Sequence, residues 1–359
     1  MSRIFNFCAG PATLPLPVLE KAREEMLDYR GLGMSVMEIS HRSSHFDEMA
    51  DATEACLRRL LNISDDYAVL FLAGGATAQF SQVPINLASP GRKGAYIVDG
   101  SWSKKAFGIA NRMGLAHLAA SSEASGFKSI PSEGEWALED DNAYLHYVSN
   151  ETISGVQFRH PPGTSLTLVS DMSSDILSRP VDVDRFGVIY AGAQKNIGQA
   201  GIALVVVRKD LLRDLDPVIP DLQSWKIQHQ QGSRLNTPPT YAWYMAGLVF
   251  EWVESSGGVA RMAELNRHKS ETFYRYLDES GFYRNDIPPE YRSHMNIPFQ
   301  IVDESLHGQF IAEAEEAGLS SLKGHRSVGG MRASIYNAVP PEAIDALIDF
   351  MNEFERKHG

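Results

Sequence analysis

The chain has 359 residues, 43% of them hydrophobic, and a net charge of -12. That is ample for a large core and comfortable for two domains, while the acidic balance argues against a nucleic-acid backbone as the main partner, which calls for a basic face. No stretch approaches the roughly 18 uninterrupted apolar residues of a membrane span, the start Met1-Ser2-Arg3-Ile4-Phe5-Asn6 lacks a signal-peptide pattern, and two cysteines, Cys8 and Cys56, are too few for a disulfide framework; the expectation is a globular cytoplasmic protein.

In chain order, the opening Gly10-Pro11-Ala12-Thr13-Leu14-Pro15 reads as an extended lead that must dock elsewhere on the molecule. Residues 67–72 read as a strand that stops at Gly74-Gly75, and 77–87 as a helix. A second strand, 95–98, ends at Asp99-Gly100-Ser101-Trp102, and a helix resumes over 104–113. Further strands are expected at 144–148, 166–169, 187–190 and 202–207. Such near-continuous apolar runs, without alternation, suit a sheet buried on both faces. Their alternation with helices favours parallel βαβ units. After about residue 240 the texture changes. Residues 241–256 and 259–280 read as long helices, 295–302 and 331–336 as strands, and 341–358 as a closing amphipathic helix behind Pro340 and Pro341. The expected fold is α/β: a large domain with a mostly parallel sheet flanked by helices, plus a smaller α+β C-terminal domain. The division falls at 16–260 and 261–359, with the lead 1–15 joining the second.

In parallel sheets ligands sit at the carboxyl ends of the strands, and the polar clusters of this chain fall there. After 166–169 comes Ser170-Asp171-Met172; Asp171 is either a helix cap, the commoner use, or an anion aimed at something cationic. Twenty-four residues on, after the next apolar strand, stands Lys195 in "YAGAQKNIG". A carboxylate and a lysine on successive strand ends can converge on one ligand. Pyridoxal phosphate (PLP) needs such a pair, a lysine amine for its aldehyde and an anion that keeps its ring nitrogen protonated. Ala73-Gly74-Gly75-Ala76-Thr77 can cradle a phosphate at a helix N-terminus, although a tight turn alone explains the glycines, and neither a Rossmann fingerprint nor a Walker A motif is present. Trp102 is either core or a plate stacked on an aromatic ring. Asn150-Glu151-Thr152 can offer a hydrogen bond to a ring hydroxyl. Arg42, behind His41, can fork onto a carboxylate or phosphate, and Arg332 opens an apolar strand, an unusual place for a merely solvated charge. No metal is called for.

These stretches, with their order, carry a resemblance. The chain resembles the phosphoserine aminotransferase family of the class V aminotransferases, PLP enzymes of fold type I. The resemblance runs nearly end to end, through "FNFCAGPATLP" (5–15), "GLGMSVMEISHRS" (31–43), "GGATAQF" (74–80), "DGSWS" (99–103), "DMSSDILSRP" (171–180), "YAGAQKNIGQAG" (190–201), "NTPPTYAWY" (236–244) and "KGHRSVGGMRASIYNA" (323–338). It implies that Lys195 is the Schiff-base lysine, Asp171 the partner of the pyridinium nitrogen and Trp102 the stacking plate. Thr152 and Gln194 become hydrogen-bond donors to PLP, and Ala76 and Thr77 the phosphate cradle. Asn236 and Thr237 are implied to reach the phosphate from a second subunit, hence a homodimer with shared active sites. Some relatives carry arginine at the position of Thr77; its absence leaves the other cations more to do. The resemblance makes Arg332 the clamp for the substrate α-carboxylate, and His41, Arg42, His325 and Arg326 candidates for the distal anion. The implied substrates are glutamate and a phosphorylated keto acid, 3-phosphohydroxypyruvate, and some members of the family act on a phosphorylated hydroxythreonine.

Two other readings compete. Another class V activity, such as alanine– or serine–glyoxylate or –pyruvate transamination, has no distal phosphate to hold and leaves His41-Arg42 and His325-Arg326 superfluous. A catalytically silent scaffold of the same fold has no reason to keep Lys195, Asp171 and Trp102 together.

Overall fold

The computed structural model describes residues 3–359. After β1 (Phe5–Asn6), α1 (Leu16–Glu24) and α2 (Ser44–Leu61), the chain enters a central seven-stranded sheet. Its strands are β2 (Tyr67–Ala73), β3 (Gly94–Val98), β4 (Ala116–Ser121), β5 (Tyr144–Val148), β8 (Leu168–Asp171), β9 (Val188–Gly192) and β10 (Ile202–Arg208); a small hairpin, β6 (Asn150–Glu151) with β7 (Val156–Gln157), stands apart. The order across the sheet is β2-β10-β9-β8-β5-β3-β4. Neighbours run parallel, except that β10 is antiparallel to both β2 and β9.

Helices cover both faces, which is why these strands are apolar without alternation. On one side α3 (Gly75–Leu87), α4 (Ser101–Arg112) and α5 (Trp225–Gln230) enclose Leu70, Phe80, Tyr96, Tyr190 and Trp225. On the other, α2, α6 (Thr240–Ser255) and the start of α7 (Gly258–Glu279) enclose Phe46, Leu57, Phe71, Trp243 and Met262. A second core lies toward the C-terminus. There β11 (Tyr283–Arg284), β12 (Asn296–Ile301) and β14 (Met331–Ser334) form an antiparallel sheet, packed with α7, α8 (His307–Glu316) and α9 (Pro341–His358) around Phe273, Phe299, Phe310, Leu347 and Phe354. Phe7 is buried in this core, and β1 pairs in parallel with β13 (Leu319–Ser320) beside it. Among the described residues no helix is long and apolar enough to cross a membrane.

The structure corrects several expectations. The edge strand β4 was not expected; only two of its six residues are buried, and Ala, His and Ser are poor strand formers, so no apolar run marks it. Direction is not written in periodicity either, so the reversal of β10 was invisible. The first helix after β3 starts at Ser101 rather than 104, which puts Trp102 inside its first turn. The strand expected over 166–169 runs over 168–171, so Asp171 is its last residue rather than two residues beyond it. The strand expected over 331–336 ends at Ser334.

Candidate active site

The carboxyl ends of the central strands surround a cavity of about 400 Å³. Asp171 ends β8, Ala76 and Thr77 follow β2, Trp102 follows β3, Thr152 follows β6, and Gln194 and Lys195 follow β9; all seven line the cavity.

Lys195 is fixed by the turn that leaves β9. Its own N–H and that of Gly198 both donate to the Ala193 carbonyl, each at 2.8 Å. The side chain is only 8% exposed. Its Nζ donates to Thr152 Oγ1 at 2.7 Å and stands 5.8 Å from the centroid of the Trp102 ring. Burial pushes the amine down to about 8; the Asp171 carboxylate opposes that shift and the Arg332 guanidinium adds to it. A lysine held this way is a nucleophile near neutral pH.

Asp171 is buried, and Oδ1 accepts from the Ser173 N–H at 2.8 Å. So the bland expectation, a cap for the following turn, describes one of its two oxygens. Burial raises its carboxyl, while the bonds to Ser173 and the charge of Lys195 pull the other way. Trp102 is held by Glu151, which accepts from the N–H groups of Trp102 (3.0 Å) and Ser103 (2.7 Å) and from Ser103 Oγ (2.8 Å). Of the expected trio, then, Thr152 meets Lys195, whereas Glu151 is spent on the first turn of α4. Asp99 is fully buried and neither of its oxygens has a hydrogen-bond partner; burial first, then the Glu151 charge, raises its carboxyl well above the usual range. The Trp102 Nε1–H is buried and free as well.

Ala76 and Thr77 sit in the first turn of α3, whose N-cap, Gly74, supplies no side-chain cap. The first N–H groups of such a helix have no intrahelical partner and suit an anion. The small residues before Lys195 have a packing reason: a Cβ on Gly192 would lie 2.8 Å from Gln194 Oε1 and 3.4 Å from the Ala76 backbone nitrogen. One contributor comes from no strand end. The N-terminal lead docks on the cavity itself, where Gly10 and Pro11 join its lining and the Ala12 N–H donates to the Gln194 carbonyl at 2.9 Å. Gly10 has φ +143°, and a Cβ there would meet Lys195 Cγ at 3.6 Å. Its glycine–proline pair marked a lead that must dock, but gave no address.

The remaining residues divide. Arg332 Nη1 donates to the Thr152 carbonyl at 3.3 Å, which brings this guanidinium to the cavity's edge, and its Nε is buried without a partner. His325, bonded to Ser327 Oγ at 2.7 Å, has its pKa lowered by burial and then by the charges of Arg332 and Arg326; Arg326 is exposed. Asn236 and Thr237 are exposed and line no part of this cavity, and neither do His41 and Arg42. Arg234 joins these two groups: it pairs with Asp47 and donates to the His41 carbonyl at 3.5 Å, two residues before Asn236.

Comparison with known proteins begins with a family model, aminotransferase class-V, which matches residues 4–347. The chain belongs to the class V aminotransferases. A phosphoserine aminotransferase of Azotobacter vinelandii is 53% identical to this class V chain over 358 residues, 99% of each. Among solved structures, a phosphoserine aminotransferase from Bacillus circulans subsp. alkalophilus superposes with a TM-score of 0.97 at 45% identity, covering 99% of both chains. A PLP-bound phosphoserine aminotransferase from Trichomonas vaginalis gives 0.93 at 41% identity, covering 98% of this chain and 100% of its own.

Proposed function

We propose that the protein is a PLP-dependent phosphoserine transaminase, which moves the amino group of glutamate to 3-phosphohydroxypyruvate and yields 2-oxoglutarate and O-phospho-L-serine, a step of serine biosynthesis. One observation carries the reading: a buried, weakly basic Lys195 amine shares a cavity with a buried carboxylate, an indole face and an uncapped helix N-terminus. A ligand with an aldehyde, a basic aromatic ring and a phosphate fits that donor set, and PLP is such a ligand. The relatives that carry the phosphoserine aminotransferase name match the whole chain.

When bound, PLP supplies an electrophilic carbonyl and a ring that accepts electrons from the substrate's α-carbon. The chain's residues do the rest. Lys195 would supply the amine that attaches PLP, and its free Nζ would hold and move the substrate's α-proton as general base and acid. Its depressed basicity suits a group that must be free amine and ammonium by turns. Asp171 would keep the ring nitrogen protonated, Trp102 would stack on the ring, and Thr152 and Gln194 would donate hydrogen bonds to PLP. Ala76 and Thr77 would hold the phosphate, together with Asn236 and Thr237 of a second copy of the chain. Their exposure away from the cavity supports that homodimeric arrangement with shared sites. Arg332 binds the α-carboxylate of either substrate. His41, Arg42, His325 and Arg326 take the distal anion, carboxylate or phosphate, since both accept charge-assisted bonds. Residues 16–260 serve as the PLP-binding unit, and 261–359 with 1–15 as the smaller one. We place the activity in the cytoplasm.

The test has two parts. Purified protein with PLP should turn yellow, and borohydride should fix the cofactor to Lys195; a colourless protein sinks the reading and favours a silent scaffold. A coupled assay with phosphohydroxypyruvate and glutamate should then outpace glyoxylate with alanine. The reverse order would assign the chain to another class V activity.

A further inference from the structure

Behind Asp171 lies a buried polar chain that this reaction scheme leaves unused. Asp171 and Tyr190 are register partners on β8 and β9, and Val148 of β5 is the partner of Asp171 on its other side. His146 precedes Val148 by two residues, so the side chains of His146, Asp171 and Tyr190 lie on one face of the sheet. His146 Nε2 is 2.8 Å from Tyr190 Oη. The imidazole is stacked on Tyr96, centroids 4.8 Å apart, and is 1% exposed. Tyr96 Oη is occupied with Tyr144 Oη at 2.7 Å, and His146 Nδ1 has no partner.

These contacts decide where the protons sit. Burial drives the His146 imidazole down to about 3, so it is neutral and carries one proton. Were that proton on Nδ1, a buried N–H would face nothing, a rare and costly state. With the proton on Nε2, the imidazole donates to Tyr190 Oη and only a lone pair goes unused. The phenol has then accepted from His146, which leaves its own proton for another acceptor; Asp171 is its register neighbour on β8, and a bond to that carboxylate would be charge-assisted. The phenol is itself held protonated, by burial first and then by the nearby Asp171 charge. Asp171 needs such a donor: its carboxylate sits where burial disfavours the anion, with the Ser173 N–H on Oδ1.

We propose that His146 and Tyr190 form a neutral donor relay, Nε2–H of His146 to Oη of Tyr190 and Oη–H to the Asp171 carboxylate, which positions Asp171 as the anion facing the cofactor ring. The proposal rests on the PLP reading for its purpose but not for its geometry. His146 and Tyr190 are positioning residues; neither lines the cavity.

The experiment uses the full chain with 15N-imidazole-labelled histidine, first free of PLP and then loaded. Long-range 1H–15N correlation reads the tautomer of each ring, and His146 is the signal lost in H146Q. The relay requires a neutral Nε2–H ring that does not titrate between roughly pH 6 and 9, and whose shifts move in both Y190F and D171N. In the loaded protein, Y190F should shift the pH titration of the visible band and lower kcat about tenfold, the worth of one hydrogen bond to a charged group, with KM for glutamate changed less than about twofold. An Nδ1–H ring, shifts indifferent to D171N, or a Y190F band that titrates like the wild type would overturn the relay. D171N, nearly isosteric, keeps the test alive should Y190F fold poorly. A wild-type chain that takes up no PLP would defeat the proposed function instead, and the PLP-free spectra would still judge the relay.

Discussion

Two buried lysines serve the two parts of this molecule in opposite ways. Lys195, at the carboxyl edge of the central sheet, spends one N–H on Thr152 Oγ1 and faces a cavity. Lys269, on α7 beside the C-terminal sheet, spends all three: its Nζ donates to the carbonyls of Ile335 (2.9 Å), Tyr336 (2.8 Å) and Val339 (2.9 Å). Burial pushes both amines down, Lys195 to about 8 and Lys269 to about 7. For Lys269 the push is opposed by its surroundings, since three acceptors at once call for three N–H groups, which only the ammonium has. A depressed basicity alone therefore does not mark a reactive lysine. What separates the two is saturation: one amine has donors to spare beside open space, and the other is a three-pronged clip.

The contrast can be broken most severely at Lys195. K195A should cost roughly a thousandfold or more in turnover and abolish borohydride fixation of PLP, while the urea midpoint barely moves; substantial remaining transamination would remove its assigned role. K269M should do the reverse. Losing three hydrogen bonds from a buried charge should lower stability by about 3 kcal/mol in urea unfolding, and the folded fraction should keep its visible band and its turnover. A K269M protein that is stable but colourless would mean the clip acts on the site. R332A probes the group that tips Lys195 further toward the free amine. It should weaken both amino donor and keto acceptor, with kcat/KM down roughly ten- to a hundredfold; a loss confined to phosphorylated substrates would move Arg332 from the α-carboxylate to the distal anion. The mildest probe is pH. The Lys195 amine is depressed from 10.5 to about 8, so its reactive neutral form dominates above about 8. Capture of PLP by cofactor-free protein should slow about tenfold per pH unit below that value and level off above it, whereas a midpoint near 10.5 would show an unperturbed lysine.

Much of the cavity was legible because its groups stand where apolar runs stop. Asp171 ends, and Lys195, Trp102 and the Ala76-Thr77 turn each follow, a strand that periodicity alone locates, and strand ends are where α/β sheets bind. The unread parts share one physical cause: their meaning lies in pairing across the sheet. His146 and Tyr190 look like ordinary members of buried strands, and only the register of β5, β8 and β9 joins them to Asp171. Glu151 reads as part of a polar turn until the first turn of α4 is seen resting on it. Asp99, a buried carboxylate with no partner of its own, has no signature at all. The converse also occurs: resemblance implied Asn236 and Thr237, and Arg42 behind His41 was readable from the residues themselves, yet one copy of the chain leaves all four off the cavity.

The N-terminal lead has a practical consequence. Phe5 and Phe7 are laced to Gly318 and Ser320 by backbone bonds of 2.9 Å each, Ser334 donates to the Phe7 carbonyl at 3.2 Å, and Tyr336 Oη donates to the Ala9 carbonyl at 2.9 Å. Three residues later Ala12 is tied to Gln194, the neighbour of Lys195. Within a dozen residues the chain thus stitches the C-terminal sheet to the reactive turn, like a guy-line pegged at both ends. For anyone handling this protein, the amino end is not a neutral handle. A trimmed or bulky extension there pulls on the line, and its first symptom will be poor retention of PLP rather than a lower melting temperature.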